Sequence, residues 1–311
     1  MDHRVLQILE AKWLIERNTV LSYAPLFISF LNGSLRGEKL AWEWEEEIYK
    51  VEQSELKKHA RAISMDEDPL NPVDKWDLTD PTVPENSIAL IDIEGIMYSW
   101  KTQMIENWTK QAIDNPNINS ILYLVNTPGG MVFYTDITSK TIKESPKPTV
   151  ACILNMAASA GMWLVSGMDY RICTSPLDRV GSIGVMTSFT SMKGLMEEKL
   201  GIIMKDFYAT DSPRKNEISR ALIADINDDK LLIADLDYVN AIFHSAIEAN
   251  LGIKKADKPD IFTGALFNAP DAITNGLIHE MNTMDYALEY AYKLGLANKI
   301  TNLSNQFNIN R

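Results

Sequence analysis

Three short apolar runs, residues 88–93, 121–125 and 149–154, recur along the chain with helix-length segments between them. Each run is of strand length, and alternation of strands with helix-length segments favours a parallel sheet. A parallel pair needs a crossover of a dozen or more residues, and the segment around residues 103–114 has the length and periodicity of a crossover helix. The chain is therefore expected to be α/β, with largely parallel strands and right-handed connections. Shorter strands are expected at Arg171-Ile172-Cys173 and Gly184-Val185-Met186. Between residues 218 and 251, Leu222, Ile226, Leu232, Leu236, Val239, Ile242, Phe243 and Ala246 recur at helical spacing and predict one or two long helices.

The flanks differ from this body. Val5, Ile8, Leu9, Trp13 and Leu14 share one helical face, and residues 43–56 are charged and helix-prone, so residues 1–64 are expected to form a helical N-terminal leader. Residues 65–86 are rich in Asp, Pro and Asn and are expected to be an extended linker. Residues 87–298 would then be the main domain and 299–311 a polar tail. At 311 residues the chain can bury a substantial core without staples. Its two cysteines, Cys152 and Cys173, are expected as buried unpaired thiols rather than a disulfide.

Composition excludes some functions. A net charge of −12 opposes general nucleic-acid binding, which requires clustered cations. The N-terminus lacks the basic region and apolar core of a secretory signal, and the apolar run 21–31 is too short to cross a bilayer and contains Pro25. No membrane span is expected, and the chain is expected in the cytoplasm. The sequence calls for no cofactor and no metal.

Three segments place small residues where a strand should end or begin. Asn126-Thr127-Pro128-Gly129-Gly130 follows the second run. Its glycines allow a sharp turn whose N–H groups can face an oxyanion, although Pro-Gly-Gly also suits a plain turn. Asn155-Met156-Ala157-Ala158-Ser159-Ala160-Gly161 follows the third run. Ser159 can expose a nucleophilic hydroxyl there, or it can simply cap the next helix. Gly181-Ser182-Ile183-Gly184 is a tight loop in which Ser182 could hold a catalytic amine by hydrogen bond, or have no function.

A serine hydroxyl needs a base. His3 and His59 fall in the leader, His244 in a helix and His279 in a late strand, and none has a triad-like context. A neutral lysine amine can serve instead once burial lowers its pKa from about 10.4.

Taken in order, Thr-Pro-Gly-Gly (127–130), Met-Ala-Ala-Ser-Ala-Gly (156–161), Gly-Ser-Ile-Gly-Val (181–185) and Lys-Leu-Gly-Ile (199–202) resemble the signal peptide peptidase A family of Ser/Lys peptidases. The resemblance runs from about residue 88 to 294 and includes Ile261-Phe262-Thr263-Gly264 and residues 272–278. It implies a crotonase/Clp-protease-like fold of ββα units. It also implies Ser159 as nucleophile, Gly129, Gly130 and Ala160 as oxyanion-hole donors, and Ser182 as the residue that steadies the lysine. The family's Gly-x-His-Lys-like loop is represented by residues 203–215, which lack the Gly and His, so Lys215 is the best match to the base and Lys205 the runner-up. The absent anchor and a brief similarity of residues 5–15 and 30–33 to phage capsid peptidases favour procapsid maturation. The substrates would be scaffold or capsid proteins, in a host cytoplasm or procapsid. A peptide-degrading bacterial enzyme and a catalytically inert assembly module of the same fold are the alternatives. Relatives form rings, which implies a homo-oligomer.

Overall fold

The structure, a computed structural model, describes residues 59–65, 73–189, 198 and 206–309, together with the backbone of residues 13–15. Its elements begin with strands β1 (Trp13–Ile15), β2 (Ala60–Ser64), β3 (Val73–Trp76) and β4 (Ser87–Glu94). Helix α1 (Ser99–Asp114), β5 (Ile118–Thr127), β6 (Gly129–Met131), α2 (Thr135–Lys143), β7 (Thr149–Ala158) and α3 (Ala160–Ser166) follow. Then come β8 (Tyr170–Cys173), β9 (Arg179–Gly181), α4 (Glu217–Ala224) and α5 (Lys230–Leu251). The chain closes with β10 (Leu266–Asn268), α6 (Ala269–Asn275), β11 (Glu280–Met281) and α7 (Met284–Ile309).

The expected α/β class holds. A nine-stranded sheet runs β10-β9-β7-β5-β4-β2-β3, with β8 on β7 and β11 on β8. The pairs β4–β5, β5–β7, β7–β8 and β7–β9 are parallel. Both faces of the central strands are covered, which explains their largely apolar character. Ile88, Leu90, Leu122, Val150, Cys152 and Ile172 pack in one cluster with Ala287, Leu288 and Ala291 of α7. Each buried aliphatic side chain of this size contributes roughly 1.5–3 kcal/mol. Tyr123, the neighbour of Leu122, points to the opposite face by strand alternation. There its hydroxyl meets Thr109 Oγ1 at 2.9 Å, so the buried phenol keeps a hydrogen-bond partner. Thr109 belongs to the inward face of α1, where Thr102, Ile105, Thr109 and Ala112 recur at three- and four-residue intervals. Cys152 and Cys173 are buried free thiols.

Five features differ from the expectation. Ala60–Ser64, assigned to a helical leader, is a strand paired antiparallel with β4. Val73–Trp76, within the expected linker, pairs with β2, and the linker's Trp76, Leu78 and Val83 are buried. The Asp, Pro and Asn content of residues 65–86 obscured the strand signal. Trp13–Ile15, within the expected helical leader, is extended and pairs with β6; the remainder of residues 1–58 lies outside the described residues. The polar tail continues α7 to Ile309. The strand expected at 184–186 is instead Arg179–Gly181, because Ser182 takes a positive φ of 52° that ends the extended backbone.

The chain divides into two compact units. One holds residues 13–184 and 243–311, and the other includes residues 185–242. Within the second, α4 and the start of α5 follow a turn in which Lys215 N–H donates to Ser212 C=O at 3.2 Å.

Candidate active site

Parallel strands that leave a sheet at the same level put their following turns side by side. Here Thr127 of β5 is in register with Ala157 of β7, and Ala158 with Gly181 of β9. The three small-residue segments singled out in the sequence therefore meet at the carboxyl ends of β5, β7 and β9, the usual location of sites in open α/β sheets.

The central segment is strained. Ser159 joins β7 to α3 with φ 55° and ψ −118°, a backbone that L-residues rarely adopt and that costs about 1–3 kcal/mol. Two bonds hold it there: Ser159 N–H donates to Gly181 C=O at 2.8 Å, and Ser159 C=O accepts Trp163 N–H at 2.9 Å. The residue is 1% exposed. Although it occupies the N-cap position of α3, its side chain makes no cap hydrogen bond. An ordinary serine cap has extended backbone and uses its oxygen. Ser159 does neither, so the capping alternative falls away. The first turn of α3 leaves the Ala160 N–H without an intrahelical acceptor, beside that hydroxyl in sequence.

On the β5 side, Thr127 organises the glycine loop. Its Oγ1 donates to Gly95 C=O at 2.6 Å and accepts the Gly129 N–H at 3.1 Å. Met97 N–H donates to Gly129 C=O at 2.9 Å, and Met97 C=O accepts the Met131 N–H at 2.7 Å. Close packing excludes side chains here. A Cβ on Gly130 would lie 2.1 Å from Met97 O, and one on Gly161 would lie 2.3 Å from Thr127 Cγ2. The Gly129 N–H expected to face an oxyanion is thus engaged by Thr127. The N–H and C=O of Gly130 point away from Met97, towards the edge that β1 takes.

On the β9 side, buried Asp178 builds the preceding turn, its Oδ2 accepting Thr174 N–H at 2.7 Å and Ser175 N–H at 2.9 Å. Ser182 directly follows Gly181, the register partner of Ala158, and donates its N–H to Ala265 C=O at 2.7 Å. The same turn adjoins His244, which the sequence reading set aside. His244 is buried, its ring faces the Ile183 backbone, and Lys255 Nζ lies 3.4 Å from its Nδ1. Desolvation, and then the Lys255 charge, push its pKa below the usual histidine value. No sequence signal pointed to it, because its position depends on how α5 packs.

Lys215 lies in the other compact unit. It is exposed and lines a concavity of about 220 Å³ with Asp206, Phe207, Tyr208, Ala209, Ser212 and Asn216. Lys205 lies outside the described residues. Among the described residues, no helix is long and apolar enough to cross a membrane.

Comparison with known proteins adds the family. A sequence profile described as Peptidase family S49 matches residues 141–298. Protease 4 of Haemophilus influenzae is 24% identical over 219 residues, covering 67% of this chain and 35% of the relative. Capsid assembly protease C of Escherichia phage lambda is 26% identical over 212 residues, covering 63% and 46%. The chain thus spans less than half the length of these two relatives. Among solved structures, a chain described as an enoyl CoA hydratase/isomerase (crotonase) from Legionella pneumophila is 17% identical, with a TM-score of 0.44 over 73% of this chain and 82% of that one.

Proposed function

The chain belongs to peptidase family S49, and on that premise we propose that it is a serine endopeptidase with Ser159 as nucleophile and Lys215 as general base. The observation that carries the reading is the backbone of Ser159, strained at the end of a buried strand with its hydroxyl unused as a helix cap. Strain of this kind persists only where surrounding structure over-determines it, and it clusters at catalytic turns.

In this mechanism the neutral Lys215 amine removes the Ser159 Oγ proton as Oγ attacks the scissile carbonyl carbon. The carbonyl oxygen becomes an oxyanion that takes the Ala160 N–H and a donor from the Gly129-Gly130 loop, with Gly129 giving up its bond to Thr127. Collapse of the tetrahedral intermediate expels the amine, which takes a proton from the lysine ammonium. Water, deprotonated by the again neutral Lys215 amine, then attacks the acyl carbon, and Ser159 Oγ leaves with the proton the lysine returns. Ser182, which follows the Gly181 whose C=O holds the Ser159 N–H, would hold the amine in line.

The proposed substrates are capsid or scaffold proteins during procapsid maturation, a role supported by similarity to the lambda capsid assembly protease. Exposed Ile223, Ile226, Ile233, Tyr238 and Ile242 on and beside α4 and α5 support a homo-oligomer. One observation favours an inert assembly module instead: Lys215 is exposed within its unit, whereas a neutral amine requires burial.

Labelling with a fluorophosphonate separates the readings. The parent chain should be labelled, and Ser159→Ala should not. Lys215→Ala should lose labelling while keeping its circular dichroism, and Lys205→Ala should retain it. A folded parent that resists the reagent would establish the inert module, and the opposite result for the two lysines would move the base to Lys205.

A further inference from the structure

β6 has two edges. Its Gly129 C=O and Met131 N–H are both committed to Met97. Backbone groups alternate along a strand, so the Gly130 N–H and C=O serve the other edge. That edge is not open. Trp13, Leu14 and Ile15 lie antiparallel along it, opposite Met131, Gly130 and Gly129 respectively, and the two segments form a sheet of their own apart from the nine-stranded one. Leu14 therefore stands where a hydrogen-bonded antiparallel pair with Gly130 forms.

This is also the edge that leads to the Gly129-Gly130 turn beside Ser159. An extended peptide held there by main-chain bonds, with its side chains falling alternately into pockets, is the simplest way for a chain of any sequence to reach the turn. The surface immediately after β6 suits such a ligand: Phe133 is 56% exposed, Tyr134 41% and Ile137 47%. In the structure the extended peptide is part of the protein itself.

We infer that Trp13–Ile15 is an internal occupant of the peptide-binding edge, held in the strand position that a substrate must take, so that substrate enters only when β1 leaves. The inference rests on the reading of Ser159 and its glycine loop as a peptidase site. A tethered segment competes at the high effective concentration of an intramolecular partner, commonly of millimolar order. The apparent affinity of an external peptide falls by the fraction of molecules whose edge is free.

The test uses the full chain. In a Ser159→Ala background, a fluorescent peptide with the sequence of residues 10–18 is titrated by anisotropy against the chain with and without Leu14→Pro. Proline lacks the N–H of a ladder residue and removes the pair opposite Gly130. The peptide is expected to bind the Leu14→Pro chain at least about tenfold more tightly, as displacement of a competitor requires. Equal binding to the two chains overturns the inference. Fluorophosphonate labelling of the same pair with Ser159 restored tests the underlying reading separately. An affinity difference without labelling would sink the serine-peptidase reading and leave the occupied edge standing. If Leu14→Pro fails to fold, hydrogen exchange on the parent reads the same contact. The Gly130 amide should exchange at least about tenfold more slowly than an unpaired amide, and exchange at the unpaired rate overturns the inference.

Discussion

Substitution of Gly130 by alanine is expected to damage stability and activity through one contact. The added methyl would lie 2.1 Å from Met97 O, 2.6 Å from Met97 C and 2.7 Å from Met97 N. None of these is a side-chain atom, so no rotamer change relieves the clash. Met97 is also fixed from both sides, because its N–H and C=O are the groups that bond Gly129 and Met131. Ordinary contact begins at roughly 3.5 Å, so β6 must retreat by on the order of 1 Å. Overpacking of this kind costs about 1–3 kcal/mol, and the rigid backbone neighbour argues for the upper end. A displacement of about 1 Å in a positioning element costs about 100-fold in rate. Urea denaturation measures the first quantity and the second-order rate of fluorophosphonate labelling the second. Gly184→Ala is the control: its Cβ meets Gly264 Cα at 3.4 Å, an ordinary contact, and the change should stay within about 0.5 kcal/mol. If Gly130→Ala were as stable as the parent and labelled at the parent rate, the tight seat of β6 on Met97 would be refuted. Lost stability with unchanged labelling would keep the packing argument and remove β6 from the site.

Ser159→Gly should abolish labelling yet raise stability by about 1 kcal/mol, because glycine adopts the φ 55° backbone without strain; a lower urea midpoint would contradict the strain argument. Lys147, whose amine donates to Ala112 C=O and Asn115 C=O, has its pKa lowered from 10.5 to about 8 by burial. Between those values the unfolded chain binds the proton that the folded chain has released, so this residue makes stability rise with pH from about 8 to about 10.5. The rise should be absent in Lys147→Met, measured by urea midpoints across that range. Burial pushes the Cys152 thiol up to about 12 and raises Cys173 as well, so neither should react with iodoacetamide at pH 8 until the chain is unfolded; mass spectrometry of the folded protein checks this.

The elements legible in the sequence are those whose pattern depends on local burial. Residues 88–93, 121–125 and 149–154 read as strands because both faces of the sheet are covered, and each lies within β4, β5 or β7. β2 and β3 were illegible for the opposite reason. They are short and antiparallel, and they lie in sequence rich in Asp and Pro, so local composition dominated the strand signal. Trp13–Ile15 shows a different limit: three residues carry no period, and their extended form comes from pairing with Gly129–Met131, more than a hundred residues away. At the site, sequence pattern led to Ser159, Ser182 and the glycine loop, since positive φ and close approach favour small residues. It gave no hint that Thr127 would take the Gly129 N–H, or that His244 would lie against the Ile183 backbone, because both depend on packing.

Each of the three motifs is commonplace alone, and register explains why their order is informative. The Ser159 hydroxyl is useful only if its turn leaves β7 at the level where the glycine loop leaves β5 and the Ser182 turn leaves β9. The pairs Thr127 with Ala157 and Ala158 with Gly181 set those levels. A slip of one residue in β7 would exchange the side chains packed on its two covered faces and carry Ser159 to the wrong side of the sheet, so core packing and site geometry are enforced together. The bond from Ser159 N–H to Gly181 C=O completes the coupling, because it holds the strained turn by the neighbouring strand rather than by its own helix. A lesion in β9 that leaves every proposed catalytic group intact, such as a side chain at Gly181, whose Cβ would lie 2.7 Å from Ala265 O, is therefore expected to act on Ser159 through this bond.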